Sequence, residues 1–232
     1  TSTVVSGCLG SEETIPDEFY GDDIYPSVAV EPFVLIDENG ENFSSEEFDD
    51  KVVIYVFMFT RCPDVCPIVS ANVKWLYGQL SESEQANVEV VSITVDPWTD
   101  NSTELALYME SMGLDWHHLT GDIEVLESVW GNFDVGLKTV ASDEYGSQNS
   151  TNNSEGSEPA GNSENTTGSD ESGGRSSEDT TTGRHHPEID YLVDHSTGTI
   201  LVDRDGHQRV WWGDTDWIPD LVLEDVRELI DS

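Results

Sequence analysis

Two cysteines, Cys62 and Cys66, stand four residues apart at the end of the most apolar run in the chain. At that spacing on a helix both sulfurs lie on one face. Neighbouring thiolates have two outlets: they close a disulfide or they grip a soft metal. A helix N-terminus favours either outcome, because its dipole lowers a thiol pKa and stabilises the thiolate. The local string Phe57-Met58-Phe59-Thr60-Arg61-Cys62-Pro63-Asp64-Val65-Cys66-Pro67 supplies such a setting. The run Val52–Phe59 has strand length and β-branched and aromatic content. Pro63 and Pro67 are poor inside a helix but acceptable in its first turn. A buried strand feeding a helix N-terminus is therefore expected, with the pair at the junction.

The elements around that junction read as one globular domain over 28–232, preceded by a tether over 1–27. Phe33-Val34-Leu35-Ile36 reads as a strand and Asp37-Glu38-Asn39-Gly40 as a turn. A helix is expected from about Pro67 to Leu80, and Val88–Val95 is a second apolar strand. Strand, helix and strand in that order predict a crossover with parallel strands buried on both faces. Ser102 or Thr103 is expected to cap a helix through Met112, with Leu105, Tyr108, Met109 and Met112 on one stripe. A further helix is expected from Asp122 to about Phe133, with Ile123, Leu126, Val129 and Trp130 inward. Tyr191-Leu192-Val193 and Thr199-Ile200-Leu201-Val202 read as strands, and Asp205-Gly206 turns the chain into Gln208–Trp212. The last helix starts near Pro219 and is expected to bury Leu221, Val222, Val226, Leu229 and Ile230.

One stretch, 142–186, is nearly pure Ser, Thr, Gly, Asn, Asp and Glu without an aliphatic anchor. Such a segment cannot offset its ordering entropy, so a long disordered acidic insertion is expected. It carries three Asn-x-Ser/Thr sequons, at Asn149, Asn152 and Asn165, and ends near His185-His186, which reads as a solvent-exposed pair.

Acidic residues number 48 against 9 basic ones, a net charge of −39, and Lys51, Lys74 and Lys138 are the only lysines. Nucleic-acid phosphates would repel such a surface. The charge reads as a solvated acidic surface whose self-repulsion concentrated salt would screen, which points to a halophilic source. It describes the solvent and says nothing of a substrate. The remaining cysteine, Cys8, ends the string Val5-Ser6-Gly7-Cys8. That string resembles the processing site of secreted lipoproteins, in which the cysteine is lipidated. The acidic residues that follow suit a tether leading away from a membrane. No window of about 20 apolar residues is present to span a bilayer. An extracytoplasmic setting, on the outer face of the cell membrane, would also permit a disulfide at Cys62 and Cys66.

A parallel core with a cysteine pair at its first helix start has the shape of a thioredoxin-like domain, although a thioredoxin has two residues between its cysteines. Thr60-Arg61-Cys62-Pro63-Asp64-Val65-Cys66-Pro67 resembles instead the T-x-C-P-D-x-C-P signature of the Sco/SenC family of copper-binding proteins. Asp194-His195-Ser196 and Leu201-Val202-Asp203-Arg204-Asp205-Gly206 resemble that family's histidine segment and the strand after it. Val95-Asp96-Pro97 is similar to its V-D-P. The resemblance covers about Phe33 to Ile230 apart from the insertion. It implies an α/β thioredoxin-like fold with a central mixed sheet and helices on both faces. It also implies copper, as Cu(I) or Cu(II), held by Cys62, Cys66 and His195. The implied role is a metallochaperone in cytochrome oxidase assembly, whose partner is the copper-centre subunit of a haem–copper oxidase.

Elementary coordination chemistry agrees with that ligand set: thiolates are soft and suit Cu(I), and imidazole suits both copper states. Asp64 has two readings, a tuner of the thiols or a cap for the helix. His117, His118 and His207 read as surface or core residues. Three rivals stay open. A thiol–disulfide oxidoreductase would use Cys62 and Cys66 as a redox-active pair, their Cα atoms being ~6 Å apart on a helix. Against it, Tyr191-Leu192-Val193-Asp194-His195 lacks the proline a thioredoxin has before the late strand. A structural zinc site would need a fourth protein ligand. A copper or redox sensor would use the same residues and differ only in its output.

Overall fold

The computed structural model describes residues 18–48, 50–141, 191–195, 198–213 and 216–232, with the backbone alone for 137–141 and 191–195. The expected insertion at 142–186, its sequons, His185, His186 and the Cys8 segment lie outside the described residues.

The sheet is organised around β4 (Val52–Met58), in which all seven residues are buried. Its sequence offers no polar side to a solvent face, so both faces must be covered. β5 (Val88–Thr94) lies parallel to it in unbroken register, from Val52 opposite Val88 to Met58 opposite Thr94. Between them run α1 (Val65–Gln79) and the single turn α2 (Glu82–Gln85). Ser81 and Glu84 close a reciprocal capping box on α2. α3 (Ser102–Met112) leads to the short strand β6 (His117–Leu119), which is parallel to β5. α4 (Ile123–Asn132) follows.

The other half of the sheet is antiparallel. β9 (Gly198–Val202) pairs with β4, placing Thr199 opposite Val56 and Val202 opposite Val53. The Asp203–Gly206 turn, with Gly206 at φ +76°, carries the chain into β10 (His207–Gly213). A left-handed residue is needed there, and glycine adopts it without steric cost. β1 (Asp22–Ala29) forms the outer edge against β10, so residues before Val28 join the sheet. The strand order is β1-β10-β9-β4-β5-β6, the mixed sheet expected. A hairpin of β2 (Val34–Ile36) and β3 (Asn42–Ser44) closes at Gly40. A separate unit, 138–194, holds most of a second two-stranded sheet, β7 (Leu137–Ala141) and β8 (Tyr191–His195).

Helices cover the sheet as side-chain periodicity requires. Tyr55 and Phe57, two residues apart and so on one face of β4, pack on Phe133 at 4.7 and 5.3 Å between ring centroids. α5 (Pro219–Asp231) packs against α1 and β4. α1 begins at Val65, two residues before the expected start. Pro67 is tolerated there because first-turn N–H groups have no intrahelical partner to lose. Asn101, rather than Ser102 or Thr103, caps α3: its side chain accepts from the Thr103 and Glu104 N–H groups. On α4 Ile123 is only half-buried. On α5 Leu221 and Ile230 are half-buried, and Leu223 and Asp225 take buried positions.

Asp225 is the unexpected member of that face. Its carboxylate accepts the Tyr20 N–H at 2.8 Å, the Gly21 N–H at 3.0 Å and the Trp212 indole N–H at 2.9 Å. Residue 21 must be glycine for this contact, since a Cβ would sit 2.6 Å from Val210 Cγ1. Asp225→Ala leaves three donors without their acceptor. It should destabilise the domain by roughly 2–3 kcal/mol in denaturant unfolding, the scale of a lost charged hydrogen-bond cluster. A change near zero would show that the segment before β1 is not held by this carboxylate.

Candidate metal centre

Strand β4 ends at Met58, and the chain then turns through Thr60–Asp64 into α1. The Cys62 N–H donates to the Phe59 carbonyl at 3.2 Å, which folds the loop back on the strand end. Cys62 lies in the loop and Cys66 in the first turn of α1, 8% and 3% exposed. Neither is joined in a disulfide. They are thus shielded from bulk water yet sit where the sheet ends.

The environment favours the thiolate form of Cys62. The Cys66 thiol donates to the Cys62 sulfur, and the backbone N–H groups of Cys66, Asp64 and Val65 also point to it. These hydrogen bonds outweigh burial, which acts in the opposite direction, and lower the Cys62 pKa from 9.0 to about 6. The donors are the orphan amides of a helix start, aimed at an anion. Asp64 occupies the N-cap position but its side chain does not cap, so the plain capping role expected for it is not realised. Tyr108 lies close enough for the two sulfurs to act on it electrostatically. Burial pushes its phenol up to about 12, opposed by the Ser70 hydroxyl at 2.9 Å.

The third expected residue, His195, is the last residue of β8. The chain then enters β9, where Thr199 lies opposite Val56 in the antiparallel pair. That pairing brings the chain in at the end of the sheet from which β4 leaves for the cysteine loop. The other histidines go elsewhere. His118 is fully buried, and burial lowers its pKa to about 4; its Nδ1 faces the Trp116 carbonyl at 3.0 Å. His117 is half-exposed and packs on Phe43, and His207 is half-exposed beside Asp203.

Among the described residues Asp37, Glu38 and His117 bring ligand-type atoms within 4.8 Å of one another. Their carboxylates are already engaged, in the turn and, through Glu38 Oε2, with the His118 N–H of β6 at 3.2 Å. Asp37 accepts the Asn39 and Glu41 N–H groups at 2.9 and 2.8 Å, and Glu38 accepts Asn39 Nδ2 at 2.8 Å. We read this group as the closure of the β2–β3 turn.

Sequence reasoning missed Asp100. It lies in the connection from β5 to α3 and is fully buried. Burial raises its carboxyl to about 6, against hydrogen bonds from Thr60 and Thr94. Thr60 belongs to the cysteine signature, but nothing in the local string shows which residue 40 positions away it meets.

The sequence profile of the SCO1/SenC family matches residues 22–154. A SCO2-like protein of Rickettsia prowazekii is 27% identical over 175 residues, which is 75% of this chain and 64% of that protein. The chain spans about half to two thirds of the length of the curated relatives it matches first. The solution structure of apo Sco1 from Thermus thermophilus superposes with a TM-score of 0.64 at 24% identity, covering 96% of this chain and 99% of that one. Yeast Sco1 with copper bound superposes with a TM-score of 0.61 at 22% identity, covering 89% and 90%. The fold is therefore the thioredoxin-like one expected, with a mixed sheet and helices.

The thiolate assignment has a direct check. In reduced, metal-free protein the absorbance of thiolate near 240 nm should rise with a midpoint near pH 6. Cys66→Ser, whose hydroxyl is a different donor to Cys62, should move that midpoint. Cys62→Ser should remove the low step. The sign follows from the shift: the folded state holds the Cys62 thiolate more firmly than the unfolded chain does. Stability from this group is therefore present above the unfolded value and is lost as pH falls through about 6. A single step near pH 8.5, the ordinary thiol value, would overturn the assignment.

Proposed function

The chain belongs to the SCO1/SenC family, and from that premise we propose that it is an extracytoplasmic copper-binding protein of cytochrome oxidase assembly. In this reading it delivers copper to the binuclear copper centre of a haem–copper oxidase. The observation that carries the proposal is the reduced Cys62–Cys66 pair, with one sulfur held as a thiolate by the start of α1. Two adjacent sulfur donors suit Cu(I) by softness.

The residues divide the work by their chemistry. Cys62 offers a sulfur that is already largely ionised at neutral pH. Cys66 gives up its proton when it becomes a ligand, and the proton it donated to Cys62 is then no longer needed there. His195 supplies an imidazole, which admits Cu(II) as well as Cu(I). Two sulfurs and one nitrogen leave a position open for an incoming donor, so the cargo can pass by ligand exchange.

A second reading is favoured by the same lowered thiol: a thiol–disulfide oxidoreductase that maintains the cysteines of that client or another secreted one. Thiolate at neutral pH is what attack on a disulfide requires. The strongly acidic surface excludes nucleic acid as a partner in either reading.

The two readings separate on titration of reduced protein with Cu(I) and Cu(II) against a competing chelator. Cys62→Ser or Cys66→Ser should abolish Cu(I) retention. His195→Ala should weaken Cu(II) more than Cu(I), because two thiolates alone can hold Cu(I) in linear coordination. The same variant should still form the Cys62–Cys66 disulfide. Unchanged affinity for both copper states would remove His195 from the ligand set. A wild type that reduces protein disulfides and retains no copper would establish the second reading.

No described helix is long and apolar enough to cross a membrane. Anchoring at the outer face of the cell membrane falls in this proposal to a lipid on Cys8. Expressed from its precursor, the wild type should carry the added lipid mass and fractionate with membranes, and Cys8→Ser should do neither. Identical mass and fractionation of the two would end that part of the proposal.

A further inference from the structure

The ends of the three parallel strands converge on one buried residue outside the cysteine motif. Asp100 Oδ1 accepts the Thr60 hydroxyl at 2.5 Å, and Oδ2 accepts the Thr60 N–H at 3.0 Å. Oδ2 also accepts the Thr94 hydroxyl at 2.6 Å. Thr60 is two residues past β4, and Thr94 is the last residue of β5. The Asp100 carbonyl accepts the Thr120 hydroxyl at 2.7 Å, one residue past β6. The Asp100 N–H in turn donates to the Asp96 carbonyl at 2.9 Å. One residue therefore joins the chain leaving all three strands, and its backbone is held as firmly as its carboxylate.

The chemistry of these contacts requires a carboxylate. Three donors converge on two oxygens, which only an acceptor-only group can satisfy without a clash of donors. The contact also reaches the loop that matters. Thr60 opens the segment Thr60–Asp64 that delivers Cys62 and aims the N–H groups of Asp64, Val65 and Cys66. Asp100 is not among the groups that donate to or accept from the Cys62 sulfur. Its carboxylate reaches the loop of the pair through Thr60, which it holds at both the hydroxyl and the N–H.

We infer that Asp100 is a positioning residue for the Cys62–Cys66 pair, acting through Thr60 to hold the loop amides against the sulfur. The inference rests on the reading of these cysteines as the working pair. If the hold is lost, the reduced state loses its amide donors. The equilibrium of the pair then moves toward the disulfide, and the sulfurs hold a metal less tightly.

The test is read on purified full-length protein, independent of any delivery assay, so failure of copper delivery and failure of this inference are distinguishable. The pair is equilibrated with oxidised and reduced glutathione. In that exchange the glutathione S–S bond breaks and the Cys62–Cys66 bond forms. Two electrons and two protons pass to glutathione, giving two thiols. Asp100→Asn should shift this equilibrium toward the protein disulfide by about tenfold, or about 30 mV for a two-electron couple. Its Cu(I) affinity should fall by about 10- to 100-fold, the scale of lost outer-sphere support. Thr60→Val, which deletes the hydroxyl but keeps the N–H, should shift both in the same direction, and Thr60→Ser should restore wild-type values. Because both changes break one link, the double variant should show less than the sum of the two shifts. Should Asp100→Asn fail to fold, Thr60→Val and Thr60→Ser decide alone. Wild-type potential and Cu(I) affinity in folded Thr60→Val, or strictly additive shifts in the double variant, would overturn the inference.

Discussion

A thiolate can be held in Cys62, a residue only 8% exposed, because the start of α1 turns three backbone N–H groups onto its sulfur and Cys66 adds a thiol proton. Taking a charge out of water is costly unless hydrogen bonds replace its hydration. A helix N-terminus supplies those bonds without spending any side chain, since its first amides have no partner within the helix. The rest of the structure can be understood as what keeps that helix start next to that sulfur. Pro63 and Pro67 remove amide donors at two points of this loop, and neither is one of the three amides used.

The rigidity of the site comes from the sheet. β4 and β5 pair in register over their full length, with nearly every side chain buried. Such strands cannot slip by one residue without exchanging their two faces. Their ends are therefore fixed points, and the loop to α1 starts from one of them. Ligands in open α/β sheets bind outside the carboxyl ends of the strands. Asp100 adds a polar tie among those ends in a region where apolar packing gives way to loops. A buried carboxylate is costly by itself, but here every oxygen is occupied.

Apart from the buried Asp37, Asp96, Asp100 and Asp225, the described acidic residues lie toward the periphery. Two of the described arginines, Arg209 and Arg227, each join two carboxylates. Arg209 bridges Glu18 at 3.0 Å and Asp203 at 3.1 Å, and Arg227 joins Glu84 and Glu224 at 3.0 and 3.1 Å. Each exposed pair is worth at most about 1 kcal/mol. Their placement is still informative: Arg209 links the segment before β1 to the β9–β10 turn, and Arg227 links α5 to the cap of α2. Scarce cations are placed where distant parts of the chain meet.

Most of the central elements were legible in the sequence because their signals are local, whereas β1, β3, β6 and the single turn α2 were not read from it. Val52–Phe59 reads as a strand by its length and its β-branched and aromatic content, Asp205-Gly206 reads as a hairpin turn, and the four-residue spacing of Cys62 and Cys66 near a helix start implies paired thiols. Boundaries moved by one or two residues, at Val65 and at Asn101, since a cap depends on which side chain reaches an amide. What the tertiary structure alone decided were the long-range polar contacts. Asp100 and Asp225 look like two more acids among 48. Their importance arises when three strand ends, or an edge segment and an indole, converge on a buried carboxylate. No periodicity encodes such a meeting. The lowered pKa of the Cys62 thiol belongs to the same class, because it depends on where loop amides point. A sequence records which groups can ionise, and packing determines which of them is left with hydrogen-bond donors in place of water.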